Sequence, residues 1–119
     1  MRYMDGFVIP VPNGNKRAYI DMAVKAAPMF MEHGAIRVVE TWGDDLPIGK
    51  VNDFRTAVIA EEGESVVFSW IEWPSKEVRD AGMAKVIADE RMNSGEEIPF
   101  SGARMIYGGF ATLVDTDEA

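Results

Sequence analysis

The alternation of apolar and polar positions divides the chain into strands and helices. Residues 3–11, YMDGFVIPV, put Phe7, Ile9 and Val11 on one side and Met4, Gly6 and Val8 on the other, the two-residue period of a strand. Pro10 places this strand at an edge or near its end. After the turn PNGN, Tyr19, Met22, Ala23, Ala26, Ala27 and Phe30 recur every three or four positions, which predicts a helix capped near Asn15 and ended by Gly34, with Pro28 a point of kink or break. AIRVVETW reads as a second strand. DFRTAVIA reads as a shorter one, paired as a hairpin across EEGE with SVVFSWIEW. Pro74 stops that strand, Ser75 caps the next helix and Glu77 lies in its positively polarised first turn. Val78, Gly82 and Val86 share a stripe of this helix. Gly82 lowers helix propensity there, so it marks close packing. RMNSGEEIPFSG is irregular, ARMIYGGFATLV forms the last strand, and the acidic tail DTDEA, residues 115–119, is expected to fray.

The order strand–helix–strand, return strand, helix–strand predicts an α+β fold, a ferredoxin-like βαββαβ sandwich formed by residues 1–119 as a single domain. In VVFSWIEW, Val66, Phe68 and Trp70 face one way while Val67, Ile71 and Trp73 face the other. In the last strand Met105 and Tyr107 oppose Ile106 and Phe110. Two helices cover one face of such a sheet and leave the other bare. The expected cover is a second copy of the chain, packed sheet to sheet as a homodimer. The competing expectation is that residues 43–53 or 91–102 fold across that face.

Composition narrows the function. The chain has 119 residues, 47% hydrophobic and 27% charged, with a formal net charge of −8. That balance suits a globular protein and argues against nucleic-acid binding, which concentrates positive charge; EEGE repels phosphate where a base-stacking sheet would need a basic flank. No cysteine is present, so disulfides and thiolate chemistry are absent. No targeting segment and no run long enough to cross a bilayer is found, and a cytoplasmic location with no membrane partner is expected.

No phosphate loop, dinucleotide fingerprint, GxSxG or zinc-protease motif occurs, and the YGGF glycines read as a bend or a close backbone approach. No metal site and no cofactor are called for. His33, the one histidine, is a candidate base at a helix end or simply a hydrogen-bonded terminal residue. Glu40 and Trp42 share one side of the second strand, and Glu72 follows Phe68 and Trp70 on one side of the return strand. A carboxylate beside an indole in a dry cavity acquires a raised pKa and serves as an acid or base. An arginine (Arg55, Arg79, Arg91 or Arg104) would instead keep it ionised, and a plain salt bridge is the structural alternative. Tyr107 is a candidate hydrogen-bond donor to a bound oxygen or a rim aromatic.

The segments YMDGFVIPVP, AAPMFMEHGAIRVVETWGDD, KVNDFRTAV, VVFSWIEWPSKEVRDAG and PFSGARMIYGGF resemble the YbaA-like family of small bacterial proteins across residues 3 to 111. That family has no assigned function. The resemblance implies a dimeric α/β-barrel arrangement and a cavity between sheet and helices, as in cofactor-independent monooxygenases, small-molecule isomerases and haem-handling enzymes of the wider group. It transfers no catalytic residue. Residues of this chain within its motifs include Asp44, Asp53 and Arg104 beside those already named, and His33 is the sole imidazole a haem could take. Two functions are therefore expected: a homodimeric small-molecule-binding protein, or a cofactor-independent oxygenase- or isomerase-like enzyme acting on a small aromatic or keto/enol substrate. In the second, Glu72 or His33 moves a proton, Tyr107 steadies an oxygen, and Arg55, Arg79, Glu40, Trp42 and Trp70 hold the ligand.

Overall fold

A computed structural model describes residues 1–93 and 95–118. Four strands, β1 (Tyr3–Pro12), β2 (Arg37–Trp42), β3 (Glu64–Trp73) and β4 (Ile106–Ala111), form one antiparallel sheet in the order β2-β3-β1-β4. Helix α1 (Lys16–Glu32) follows β1, a single helical turn α2 (Phe54–Ala57) precedes β3, and α3 (Lys76–Ala88) follows it. This is the ferredoxin-like α+β arrangement. The molecule measures 38 × 37 × 20 Å, flat enough for two layers.

One strand assignment from the sequence is corrected. DFRTAVIA holds α2 instead of a strand, because Asp53 and Thr56 form a reciprocal cap: the Asp53 side chain accepts from the Thr56 amide at 2.8 Å and the Thr56 hydroxyl accepts from the Asp53 amide at 2.9 Å. The strand paired along β3's outer edge is β2, with Val38 opposite Ile71 and Trp42 opposite Val67.

Elsewhere local chemistry explains the elements. The Ser75 hydroxyl accepts from the Val78 amide and starts α3, with Glu77 in its first turn. Helix α1 runs unbroken past Pro28, which lies on its exposed side. Pro10 lies where β4 no longer pairs with β1, since that ladder ends at Val8 opposite Ile106, so its missing N–H has no β4 partner to disappoint. Gly82 is buried where α3 crosses the end of α1. A Cβ there would stand 2.6 Å from the Trp73 ring, and closer still to the His33 carbonyl oxygen. Gly109 is likewise a close approach, with Arg79 Nη2 2.9 Å from where a Cβ would stand and the Tyr3 hydroxyl nearer.

Residues opposite each other in the register share a face. The helix-side face carries Phe7, Ile9, Val11, Val67, Ile71 and Trp73, and Tyr19, Met22, Ala23 and Phe30 of α1 pack on it. Asp5 is buried on that face. It accepts from Trp73 Nε1 at 2.9 Å and from Arg79 Nη2 at 2.8 Å, and the Arg79 guanidinium lies 5.2 Å from the Tyr3 ring. The opposite face carries Met4, Val8, Val66, Phe68, Trp70, Ile106 and Phe110. α2 covers one end of it, where Phe54 meets Phe68 edge to face at 6.0 Å. The rest stays open in the single chain: Phe68 is 44% exposed, Ile106 45% and Phe110 58%. Arg91, Met92 and residues 96–100 line the helix side, and the side chain seen against the open face is Phe54 of α2, just beyond the 43–53 segment.

A candidate small-molecule site under helix 1

The helix-side layer is incomplete. Because α3 packs toward Trp73, α1 alone spans the β1–β2 region of the sheet, and the irregular chain after α3 returns beside it. Between them lies a cavity of about 640 Å³, within the range of roughly 300–1,000 Å³ common for small-molecule sites. Its floor is Phe7, Ile9, Val38 and Ile71. Its walls are Met22, Ala26, Met29 and Phe30 of α1, with Met92, Ile98, Phe100 and Met105 opposite. The three-and-four spacing read from the sequence thus lines a cavity as well as a core.

Two polar side chains rise from the sheet into this apolar space, Glu40 of β2 and Ser69 of β3, opposite each other in the ladder. The buried Tyr19 hydroxyl donates to Glu40 Oε1 at 2.6 Å. Burial raises the Tyr19 pKa far above the ordinary phenol value, and the adjacent Glu40 charge adds to the effect, so Tyr19 stays a donor at any physiological pH. Glu40 is exposed to solvent, bordering both the cavity and a crevice between α1 and the β2 edge. Crowding by protein pushes its carboxyl above the ordinary carboxylate pKa, while the Tyr19 and Ser69 hydroxyls pull the other way.

The structure does not gather the remaining sequence-derived candidates around this carboxylate. Glu72 lies on the opposite face of the sheet, buried, accepting from Trp70 Nε1 at 3.0 Å and from Arg37 at 3.4 Å, with Arg2 at 3.7 Å. Tyr107 is on the helix-side face at the β4 edge, 73% exposed and stacked on Phe7 at 6.3 Å. Trp42 follows Glu40 with Lys16 5.0 Å above its ring, and Trp70 packs against Phe68 on the outer face. Arg55 donates to the Glu64 and Glu61 carbonyls at 2.7 and 3.0 Å, and Arg79 is held by Asp5. Arg104 grips Glu64 at 2.7 and 2.8 Å and holds that carboxyl down to about 2. Asp53 serves as the α2 cap, and Asp44 lies exposed in the loop after β2.

His33 ends α1, its Nε2 3.5 Å from Asp89 Oδ2. Glu32, His33 and Asp89 put ligand atoms within 4.8 Å of one another. Arg91 already occupies that cluster, 2.5 Å from Glu32 and 2.7 Å from Asp89, and holds Asp89 well below the carboxylate range. A guanidinium there supplies the charge a metal would bring. Among the described residues no helix is long and apolar enough to cross a membrane.

Tyr19 and Ser69 went unrecognised as site residues in the sequence. Ser69 had a signal, since it interrupts the apolar side of β3 opposite Glu40. Tyr19 looked like one more member of an apolar stripe.

A sequence model described as protein of unknown function, DUF1428, matches residues 2–102. The chain belongs to the DUF1428 family. Within the family's reach, it is 61% identical over 116 residues to the uncharacterized protein YbaA of Escherichia coli strain K12, covering 97% of this chain and 99% of the relative. The same identity and coverage hold for YbaA of Shigella flexneri. Among solved structures it is similar to Rv0793 of Mycobacterium tuberculosis, with a TM-score of 0.52 and 12% identity over 98% of this chain and 99% of that one. At that identity the likeness speaks for the fold alone. These DUF1428 relatives bring no assigned activity to the site, so its reading rests on its own chemistry.

Proposed function

We propose that this DUF1428 chain is a cytoplasmic, soluble homodimer that binds a small, largely apolar molecule in the cavity under α1. The observation that carries the reading is the cavity itself: a largely apolar, half-open cleft of about 640 Å³ bordered by Glu40, whose carboxylate is ordered by a buried tyrosine. The dimer reading rests on the open sheet face. Four strands about 4.8 Å apart, rising about 3.3 Å per residue, give roughly 500 Å² of projected face. A specific interface needs at least about 500 Å² per partner, so the bare face reaches that threshold only with help. The loop between β2 and β3 also exposes apolar side chains, Ile48 and Val51.

Native mass spectrometry of protein taken fresh from cells tests both parts together. The expected species is twice the chain mass carrying a small molecule lost on denaturation. A bare monomer at micromolar concentration contradicts the reading.

The second reading, a cofactor-independent isomerase- or oxygenase-like enzyme on a small aromatic or keto/enol substrate, is favoured by one observation. The buried Tyr19 hydroxyl donates to Glu40 at the edge of an apolar cavity, an arrangement that suits proton transfer, and crowding by protein favours the protonated carboxyl in the same sense. In that reading Glu40 is a stronger candidate for the proton-handling group than Glu72, which two arginines and an indole hold on the other side of the sheet.

A further inference from the structure

The charges around the cavity are unevenly satisfied. At its mouth Lys25 lies 3.6 Å from Glu96, and Arg91 is clamped between Glu32 and Asp89. Asp21, also at the mouth, lies 3.1 Å from Arg17. The cationic side chains lining the cavity are therefore already matched by carboxylates. Glu40 has the reverse situation: among the described residues the groups acting on it are the neutral hydroxyls of Tyr19 and Ser69, and no cation lies within salt-bridge distance of it. Lys16, the lysine on the same flank, is placed over the Trp42 ring.

A carboxylate at the edge of an apolar cavity with no cation paired to it is free to take a matching charge from a ligand through a charge-assisted hydrogen bond. A carboxylate or phosphate ligand would meet like charge from Glu40 and find no free guanidinium or ammonium on the wall. A neutral ligand would leave Glu40 unmatched. We propose that the cavity selects a protonated amine carried on a small apolar or aromatic body, the ammonium donating to Glu40 and the body lying among Met22, Phe30 and Met105. The inference rests on the reading of the cavity as a binding site and goes further by naming the ligand's charge. The acidic rim from Asp21 and Glu97 favours the same sign.

The test is calorimetric titration at pH 7 with three probes of similar shape: 2-phenylethylamine, 2-phenylethanol and 3-phenylpropionate. Wild-type protein is expected to bind the amine at least ten-fold more tightly than the alcohol and to reject the carboxylate. Glu40→Gln, which keeps an acceptor for Tyr19, is expected to make amine and alcohol equal. Ala26→Phe, which fills the cavity, is expected to abolish binding of both. If the alcohol matches the amine in the wild type, or the preference for the amine survives Glu40→Gln, the ligand class is wrong while the cavity reading stands. Amine binding that persists in Ala26→Phe lies elsewhere on the acidic surface and overturns the proposal. If none of the three probes binds at millimolar concentration, the cavity reading fails and this inference with it.

Discussion

Replacing Gly82 by alanine sets local propensity directly against packing. In an exposed helix the change would stabilise the protein by about 1 kcal/mol, because glycine is the weaker helix former. Here α3 lies against the end of α1, and the new methyl would stand 2.6 Å from the Trp73 ring and nearer still to the His33 carbonyl. A carbonyl fixed at a helix terminus and a fully buried indole both resist displacement, so the helices must separate. Overpacking of this kind costs roughly 1–3 kcal/mol, and a clash with backbone belongs at the top of that range. Net of the propensity gain, the expected loss is about 2 kcal/mol, or a fall in Tm of about 8 °C for a chain of this size. Urea unfolding followed by tryptophan fluorescence, at one fixed protein concentration, measures it. Gly14→Ala is the control, because nothing lies within 4 Å of a Cβ there. If Gly82→Ala is as stable as wild type or more so, the packing of α3 against α1 and Trp73 described above is wrong.

Other expectations follow from the same contacts. Asp5→Ala strands the buried Trp73 N–H and leaves Arg79 with Asp80 as its carboxylate partner, and is expected to lower stability by about 2 kcal/mol in urea melts, with Asp5→Asn milder because it can still accept from Trp73. Glu64 has a folded pKa of about 2, below its ordinary 4.5, so its pairing with Arg104 stabilises the fold above pH 4.5 and the contribution is lost as pH falls toward 2. The wild-type urea midpoint should therefore drop more than that of Glu64→Gln between pH 6 and pH 3. Glu40 has the opposite sign: its raised folded pKa means ionisation weakens the fold above the ordinary carboxylate pKa, so Glu40→Gln should raise the urea midpoint at pH 7 and leave it little changed at pH 3. If the open face forms the proposed homodimer, Phe110→Glu lowers the solution mass measured by light scattering at micromolar concentration from twice the chain mass to one chain while far-UV circular dichroism stays unchanged; a wild-type mass of one chain contradicts the dimer.

Much of the fold was legible because a strand's side-chain period is two. The parities of Phe7, Ile9 and Val11, and of Val66, Phe68 and Trp70, were readable in the sequence and are the two faces seen. The helical spacing from Tyr19 to Phe30 located α1, and Ser75 located the start of α3. DFRTAVIA misled because its threonine, valine and isoleucine favour strands, whereas the outcome was decided by the Asp53–Thr56 cap. At the chain's exit from that turn Ile59 takes φ 51°, a conformation no propensity for isoleucine predicts. Asp5 had a signal that was passed over: it shares parity with Phe7 and Ile9, and an acid on an apolar face calls for a buried partner. The pairing of Glu40 with Tyr19 was invisible because it depends on how α1 lies across β2. The cavity was invisible because one wall, residues 96–105, carries no periodic pattern.

The cavity can be probed without knowing its natural ligand. Methyl-labelled methionines give one NMR signal each, and Met22, Met29, Met92 and Met105 line the cavity while Met4 lies on the other face of the sheet. On titration with 2-phenylethylamine, the four cavity signals are predicted to move together along one saturable isotherm with Met4 unchanged. Cavity signals that stay fixed at millimolar amine, or movement confined to Met4, would contradict a ligand site beneath α1.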